Sequence, residues 1–422
     1  MIRRSLAICA LLLSPIPAAA QSEGDIERRA EDIETALRGE ATYNEVFADS
    51  FVNAVPQTQF EAILGQIESQ FGPLVGIESV TPVSPNGADI AIRFERGIAS
   101  GSFVLEATEP FEVAGFVLND MRPVGDTVEQ LQQDLAALPG ETSLLVTRLD
   151  EAKPIAARNA DRQFAIGSTF KLYVLSALAR SIAAGERNWH DVVSLTQGSF
   201  PGGQLQNWPA GAPVTLHTLA SLMISNSDNT ATDQLIVELG REAVEAEVVA
   251  AGHSDPEATF PFLTTREMFV LKSGDTANLG QYAAAGTPER LAVLQELAEL
   301  ERSDGEVQAA FTGGPVAIDI EWFASANDLA SLFRRITALE DETALEILAI
   351  NPAMPPPMRD EWDYVGYKGG SEPGVLNLTW LLRDMAGEWQ AVTLSWNNPE
   401  AAVAEPTLNL IAMRAIALAK GS

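Results

Sequence analysis

Strand patterns in residues 125–422 lie at the two ends of that stretch, and helical patterns occupy residues 168–350 between them. The expected strands are near residues 142–149, 154–157, 364–369, 375–383 and 389–396. Strands must pair with one another, and a sheet must bury a face under other elements. We therefore predict one antiparallel sheet built from both ends of this region. Helices near 127–138 and 402–419 would cover one face, and the middle of the chain would form a helical lobe.

Residues 21–124 have a different pattern and predict a separate small domain. Helices are expected near residues 25–39, 45–54 and 57–71, followed by strands near 76–81, 89–94, 101–106 and 114–118. Helices followed by a meander of strands indicate an α+β domain. A chain of 422 residues accommodates two domains, because a typical domain has about 100–200 residues. The predicted domains are residues 21–124 and 125–422.

The first twenty residues have the pattern of a signal peptide. Arg3 and Arg4 precede an apolar run at residues 5–13, and small residues at 18–20 fit a cleavage site. The run is shorter than the roughly 20 residues that a membrane-spanning helix needs. We expect an exported protein, periplasmic or secreted, with no membrane attachment after cleavage. Cys9, the only cysteine, lies in this segment, so no disulfide or cysteine metal site is expected in the mature chain.

The chain is strongly acidic, with 27 Lys and Arg residues against 58 Asp and Glu residues and a net charge of −31. This balance argues against nucleic acids and anionic membrane surfaces as partners, because both attract basic patches. A small-molecule substrate is the expected partner. If that substrate is anionic, the site must provide its own local positive charge.

Three short motifs suggest a site with a serine nucleophile. Ser168 and Lys171 are three residues apart, so on a helix they share one face. Ser168 is expected at the start of that helix, where unpaired backbone N–H groups favour a developing negative charge. In the second motif, at 227–229, Ser227 can shuttle a proton and Asn229 can hold a substrate amide, whereas the aspartate between them is expected to fix the loop.

The third motif is Lys368-Gly-Gly-Ser on a predicted strand. Lys368 would supply positive charge beside an anionic group of the substrate. The backbone N–H of Ser371, next to Gly370, would complete an oxyanion hole with that of Ser168. Each motif taken alone is common in unrelated chains, and only their order and spacing give them weight.

Together the motifs resemble those of the class A β-lactamases and related penicillin-recognising serine hydrolases. The resemblance spans residues 127–420 and is especially clear at residues 164–178. It implies a β-lactamase/transpeptidase-like α+β domain without a cofactor, in which Lys171 is the base that activates Ser168. The two-domain layout resembles that of the β-lactamase-like protein of the clavulanic acid biosynthesis cluster. That likeness implies a cystatin-like or isomerase-like fold for residues 21–124.

The sequence departs from the family pattern at two places. The glutamate loop that activates the deacylating water has no clear Glu-x-x-x-Asn counterpart here. Asp255 or Glu257 replaces that glutamate, or both lie in a solvated loop; the sequence leaves this open. Gly369 stands where the family has a Ser or Thr that binds the substrate carboxylate. These departures indicate slow deacylation or a substrate other than an ordinary penicillin. An inserted helical segment is also expected around residues 273–320.

Three functions remain open from the sequence. The leading hypothesis is a serine hydrolase that acts through an acyl-enzyme on a β-lactam or a related amide or ester. The alternatives are a cell-wall peptidase or esterase on the same scaffold, and a β-lactam-binding or peptidoglycan-binding protein with negligible turnover. The three histidines, His190, His217 and His253, form no Ser-His-Asp or His-Glu-x-x-His pattern. No metal is therefore expected, and the sequence does not decide the oligomeric state.

Overall fold

The computed structural model describes residues 23–200, 202–274, 276–298, 300 and 302–421. The chain divides into two compact units, one that ends at Thr127 and one that begins at Val128. The predicted signal peptide, residues 1–20, lies outside the described residues.

The first unit has helices followed by an antiparallel sheet in which the strand order is the order of the chain. Its elements are α1 (Glu23–Leu37), α2 (Tyr43–Val46), α3 (Asp49–Ala54), α4 (Gln57–Phe71), β1 (Leu74–Ser84), β2 (Gly87–Phe94), β3 (Gly97–Leu105) and β4 (Val113–Pro123). Its core contains a cluster of aromatic rings with neighbouring centroids 4.7–6.4 Å apart. The rings belong to Tyr43, Phe47, Phe51, Phe60 and Phe116.

The helix predicted at 45–54 is wrong as a single element, because the structure has two short helices there. The chain between them is extended at Phe47, which forms a bridge with Val113 of β4. The backbone N–H of Ala48 also donates to the Val113 carbonyl. Tertiary pairing thus overrides the local helical pattern. The predicted helix at 57–71 coincides with α4, which ends at Gly72 with φ 78.

The second unit contains a five-stranded sheet in the order β11-β12-β13-β5-β6, with every neighbouring pair antiparallel. The elements up to the second motif are α5 (Val128–Ala137), β5 (Glu141–Arg148), β6 (Ala156–Arg158), β7 (Phe164–Ala165), α6 (Lys171–Ala183), β8 (Val192–Ser194), β9 (Pro213–Thr215) and α7 (Leu216–Ser225). Those that follow are α8 (Asn229–Leu239), α9 (Arg241–Ala250), α10 (Thr265–Lys272), α11 (Thr276–Ala284), α12 (Thr287–Leu297), α13 (Asp304–Ala310), β10 (Phe323–Ala324), α14 (Ala326–Thr337), α15 (Glu342–Ala349), α16 (Pro356–Arg359), β11 (Tyr364–Glu372), β12 (Val375–Arg383), β13 (Trp389–Asn397) and α17 (Glu405–Gly421).

The predicted sheet built from both ends of the region is confirmed, because β5 pairs with β13 along its whole length. Helices α5 and α17 contact each other and β5, as predicted, with Leu135 and Leu408 fully buried. Burial of one leucine side chain contributes about 1.5–3 kcal/mol. The helical stretch expected at 168–350 is interrupted by the short pair β8–β9 and by β10, which pairs with β7. Three-residue strands are too short to show the alternation by which strands are predicted.

Helix α6 lies at the centre of the helical lobe. Its residues 171–179 are all buried, and their apolar side chains belong to the larger apolar core of the unit. The predicted helical insertion at 273–320 corresponds to α11, α12 and α13. In the described part of the chain, no helix combines the length and the apolar character needed to cross a membrane.

Candidate active site

Ser168 lies in a tight 3₁₀ turn, Gly167–Phe170, and not at the start of the α-helix, which begins at Lys171. The turn still brings positions three apart onto one side, because 3₁₀ geometry aligns i with i+3. Gly167 has φ 47, a left-handed conformation that glycine adopts without a Cβ clash. Ser168 is partly exposed, whereas the other three residues of the turn are buried. The Ser168 hydroxyl is therefore accessible to a ligand.

Lys171 is fully buried and has close polar neighbours from the second motif. Its Nζ donates to the Ser227 carbonyl at 2.7 Å and to Asn229 Oδ1 at 2.8 Å, and lies 3.1 Å from Ser227 Oγ. Burial, and then the charge of Lys368, holds the pKa of Lys171 well below its usual value. Among the described residues no hydrogen bond joins Lys171 to Ser168. A neutral amine at this position can accept a proton.

Ser227 lies between the two lysines. Its Oγ is 3.1 Å from Lys171 Nζ and 3.1 Å from Lys368 Nζ. The residue has φ 56, which is unfavourable for a side chain with a Cβ and costs of order 1 kcal/mol. Burial lowers the pKa of Lys368 to about 7. The Ser227 hydroxyl oxygen thus accepts hydrogen bonds from both lysines and links them.

Asp228 holds the loop around the second motif, as the sequence analysis expected. Its carboxylate accepts hydrogen bonds from the backbone N–H groups of Gln204, Leu205 and Ala231. The backbone N–H of Asn229 donates to the Gly202 carbonyl at 2.7 Å. The glycine-containing loop at 202–205 is therefore fixed against the motif.

Strand β11 lies directly against the turn that carries Ser168. A Cβ atom at Gly370 would overlap the carbonyl oxygen of Ile166 and the backbone nitrogens of Ser168 and Thr169. A Cβ at Gly167 would lie 2.9 Å from the backbone nitrogen of Ser371. Only glycine permits this close approach, which brings the backbones of Ser168 and Ser371 together.

The two acidic candidates for deacylation are on the surface. Asp255 and Glu257 are exposed, and Glu257 Oε2 accepts a hydrogen bond from Thr287 Oγ1 at 3.2 Å. Within the described residues, neither carboxylate has a polar contact with Ser168 or Lys171. The structure thus brings together Ser168, Lys171, Ser227, Asn229, Lys368, Gly370 and Ser371, and it does not add Asp255 or Glu257 to them.

The structure also shows two nearby residues that the sequence analysis missed. Asp233 is buried one helical turn after Asn229, and its carboxylate accepts from the backbone N–H groups of Thr265 and Arg266. Its burial raises its pKa to about 6. The phenol of Tyr367 covers Gly369, where a Cβ would collide with Tyr367 Oη. The sequence did carry a signal for each. Asp233 is four residues after Asn229 on a helix, and Tyr367 is two residues before Gly369 on a strand, so each shares a face with a motif residue.

In the described part of the chain, no group of three or more His, Cys, Asp or Glu side chains is arranged to hold a metal ion. The polar atoms around Ser168 are amines, hydroxyls and amides. Such a set suits proton transfer and the binding of an oxyanion.

Comparison with known proteins identifies the family. The model of the β-lactamase enzyme family matches residues 126–351, which is more than half of the chain, so the chain belongs to this family. It is a serine hydrolase with the β-lactamase/transpeptidase-like fold. A search of curated proteins finds no match.

Three of the solved structures that this chain is similar to have identities of 16–22%. The β-lactamase of Sphaerobacter thermophilus is 22% identical, with 70% of this chain and 98% of that chain covered and a TM-score of 0.48. The β-lactamase of Desulfarculus baarsii is 19% identical, with 70% and 98% covered and a TM-score of 0.47. The protein PBP-A is 16% identical, with 68% and 93% covered and a TM-score of 0.46.

Proposed function

We propose that this protein forms an acyl-enzyme through Ser168 with a β-lactam or a related amide or ester. The observation that carries the proposal is the arrangement of two buried lysines on either side of Ser227. Burial, and then the charge of Lys368, lowers the pKa of Lys171 well below its usual value, which makes it easier for this lysine to serve as a base. This arrangement supplies a base and a cation within one small volume, without a histidine.

In the proposed reaction, Lys171 Nζ takes the proton of Ser168 Oγ as that oxygen bonds to the substrate carbonyl carbon. The N–H groups of Ser168 and Ser371 stabilise the resulting oxyanion, which is the kind of interaction worth about 10²–10³ in rate per donor. The carbon–nitrogen bond then breaks. The proton passes from Lys171 through Ser227 Oγ to the leaving nitrogen, and the acyl group stays on Ser168.

Substrate binding involves two further side chains in this proposal. Asn229 can donate to an amide oxygen of the substrate with its Nδ2 while its Oδ1 accepts from Lys171. Lys368 attracts an anionic group near Ser227. Its charge matters because the whole chain carries a net charge of −31 and would otherwise repel anions.

Deacylation is proposed to be slow. Water attack on the acyl carbonyl needs a general base, which typically contributes about 10²–10⁴-fold. The exposed positions of Asp255 and Glu257 favour slow release, and a role for either acid in deacylation is the alternative. If deacylation were slow enough to be negligible, the protein would act as a β-lactam-binding or peptidoglycan-binding protein. A cell-wall peptidase or esterase would use the same Ser168 chemistry on another carbonyl.

Export is also part of the proposal, with cleavage after residue 20 and action in the periplasm or outside the cell. Two positively charged residues, Arg3 and Arg4, stand before an apolar run, and this pattern supports export.

Labelling with a fluorescent penicillin, followed by a chase with unlabelled drug, tests the function. We expect one label per chain, on Ser168, that persists through the chase. Rapid loss of label would indicate efficient deacylation and an ordinary β-lactamase. Absence of any label at high penicillin concentration would reject a penicillin-type substrate.

A further inference from the structure

A second buried lysine cluster lies beside the proposed oxyanion hole. Lys272, at the end of α10, has its Nζ 3.1 Å from Glu321 Oε1 and 2.5 Å from Glu372 Oε1. The side chains of Lys272 and Glu321 have no exposed surface, and that of Glu372 is 8% exposed. The three residues come from distant parts of the chain, so the cluster joins separate segments.

One arm of the cluster holds the end of strand β11. Glu372 follows Ser371 directly, and it is the last residue of the strand before a tight turn. The turn contains Gly374, where a Cβ would collide with the Asn398 carbonyl and with Pro315. The 2.5 Å hydrogen bond from Lys272 to Glu372 therefore holds the segment that contains Ser371, whose backbone nitrogen faces the Ser168 turn.

The other arm holds the turn of Ser168. Glu321 precedes Trp322, whose ring stacks on Phe170 with centroids 3.7 Å apart and planes 14° apart. The Trp322 carbonyl accepts a hydrogen bond from the backbone N–H of Ile166 at 3.0 Å. Phe170 is the last residue of the turn that contains Ser168, and Ile166 directly precedes that turn. Glu321 is thus linked through Trp322 to the segment that carries the Ser168 N–H.

We propose that Lys272 is a positioning residue that sets the distance between the Ser168 and Ser371 backbone N–H groups, with Glu321 and Glu372 as its two arms. The proposal rests on the proposed function, because it concerns the oxyanion hole of that reaction. Lys272 touches neither the substrate nor the reacting atoms, and it acts through the two glutamates.

Stability alone does not account for the cluster. A buried ion pair often contributes no more stability than apolar side chains of similar volume, because each charge loses its hydration. Here a second carboxyl group is added to a pair that was already neutral, and all three side chains are taken out of water. An arrangement with this cost fits a geometric role, since one ammonium group can hold two segments at a defined separation.

The first test replaces Lys272 by Met, which keeps the length of the side chain and removes its charge. Acylation by a chromogenic cephalosporin is followed by stopped flow in the full-length protein. We expect the limiting acylation rate to fall by about 10- to 100-fold. This is less than the roughly 10²–10³-fold loss from removing an oxyanion donor, because the donors are displaced and not removed. The half-saturating concentration should change less than about threefold, because ground-state binding does not use the oxyanion hole. An unchanged limiting rate in folded protein overturns the proposal.

The controls separate positioning from general loss of stability. Arg414→Met removes another buried cation of this unit, which pairs with the partly exposed Asp134 at 2.7 Å, and should lower Tm without slowing acylation. The triple variant Lys272→Met, Glu321→Met, Glu372→Met removes all buried charges of the cluster and should regain Tm. Its acylation should stay slow. Recovery of both Tm and acylation rate in the triple variant would show that the cluster is merely structural.

Amide hydrogen exchange provides a readout that does not depend on the substrate. In Lys272→Met, exchange should quicken in peptides that cover residues 164–170 and 366–376, and it should not do so in Arg414→Met. Unchanged exchange in both peptides would overturn the positioning role. If wild-type protein is not acylated at all, the proposed function fails, and the exchange result still decides whether Lys272 fixes these two segments.

Discussion

Lys171 and Lys272 are both enclosed lysines of one structural unit, but their surroundings move their pKa values in opposite directions. Burial, together with the charge of Lys368, lowers the pKa of Lys171 well below its usual value. Burial would also lower the pKa of Lys272, but the charges of Glu321 and Glu372 outweigh it and raise that pKa above the usual value. Equal burial therefore gives one lysine that can lose its proton and one that keeps it.

Two aspartates near Lys171 do not reverse this difference, although their charges act to raise its pKa. Asp228 accepts three backbone N–H groups, and Asp233 accepts two together with the Thr265 hydroxyl. Their oxygens are thus directed at loops and a helix start, and Lys171 Nζ makes its hydrogen bonds to a carbonyl, a hydroxyl and an amide oxygen instead. The loss of hydration on burial is the largest influence on the Lys171 pKa, and it outweighs the charges of the two aspartates.

The contrast between the two lysines assigns the proposed reaction to the Lys171 cluster. The prediction with the largest expected effect on acylation tests this assignment. Ser168→Ala should abolish the mass adduct formed with a β-lactam, because the only proposed nucleophile is removed while the turn and its buried neighbours stay. Intact-mass spectrometry measures the adduct, and circular dichroism checks the fold. An adduct on the Ala variant equal to that of wild type would move the nucleophile elsewhere.

The next test asks whether Lys171 acts by losing its proton. Lys171→Arg keeps a positive charge, but a guanidinium stays protonated up to about pH 12 and cannot serve as the base. We expect the acylation rate to fall by about 10²–10⁴-fold, the usual worth of a general base. This loss should exceed that of Lys272→Met. Near-normal acylation by Lys171→Arg, measured by stopped flow, would contradict the proposed role and remove the contrast between the two clusters.

A smaller effect is expected from Lys368, whose pKa is about 7. Below that pH its amine is charged and attracts an anionic substrate; above it the charge is lost. The second-order acylation rate for an anionic β-lactam should therefore fall by about tenfold between pH 6.5 and pH 9, the order of magnitude of one charged hydrogen bond. Lys368→Arg stays charged and should remove the fall, whereas a neutral ester substrate should not show it even in wild type. A fall of equal size in Lys368→Arg would assign it to another group.

The two clusters also differ in how far the sequence predicted them. The residues of the candidate site around Lys171 were predicted from motifs, because Ser168 and Lys171 are local neighbours and the strand with Lys368 has a clear pattern. The 3₁₀ turn was missed because its geometry depends on pairing between β7 and β10, two residues each. The sheet was predicted because long strands alternate or run apolar over nine residues, as in β12 and β13.

The cluster around Lys272 had no sequence signal. Glu321 is 49 residues away from Lys272, and Glu372 is 100 residues away. No periodicity connects such positions, and each residue read alone is an ordinary solvated charge. Only the folded chain shows that the hairpin of β11 and β12 delivers Glu372 to the end of α10. Contacts of this kind depend on tertiary packing, which a pattern of local propensities does not specify.

The smallest expected effect concerns stability, and it tests the electrostatics of the Lys272 cluster alone. Burial, and then the charge of Glu321, raises the pKa of Glu372 to about 8 from an ordinary value of 4.5. Between these two pH values the folded protein holds a proton that the unfolded chain has released. Stability contributed by this group is therefore full at low pH and is lost as the pH rises toward 8, with a slope that approaches 1.4 kcal/mol per pH unit.

Glu372→Gln should remove this slope, because an amide does not titrate. The measurement is the difference in free energy of unfolding between wild type and Glu372→Gln, taken by denaturant titration at pH 5, 6, 7 and 8. Lys368 also titrates in this range, and its lowered pKa makes stability rise with pH above about 7. Because both proteins contain Lys368, its contribution cancels when their free energies of unfolding are subtracted. Glu388→Gln, which replaces an exposed glutamate of the same unit, should give a flat difference. A flat curve for Glu372→Gln as well would mean that Lys272 keeps both carboxylates ionised. The cluster would then carry a net negative charge in the folded protein at neutral pH.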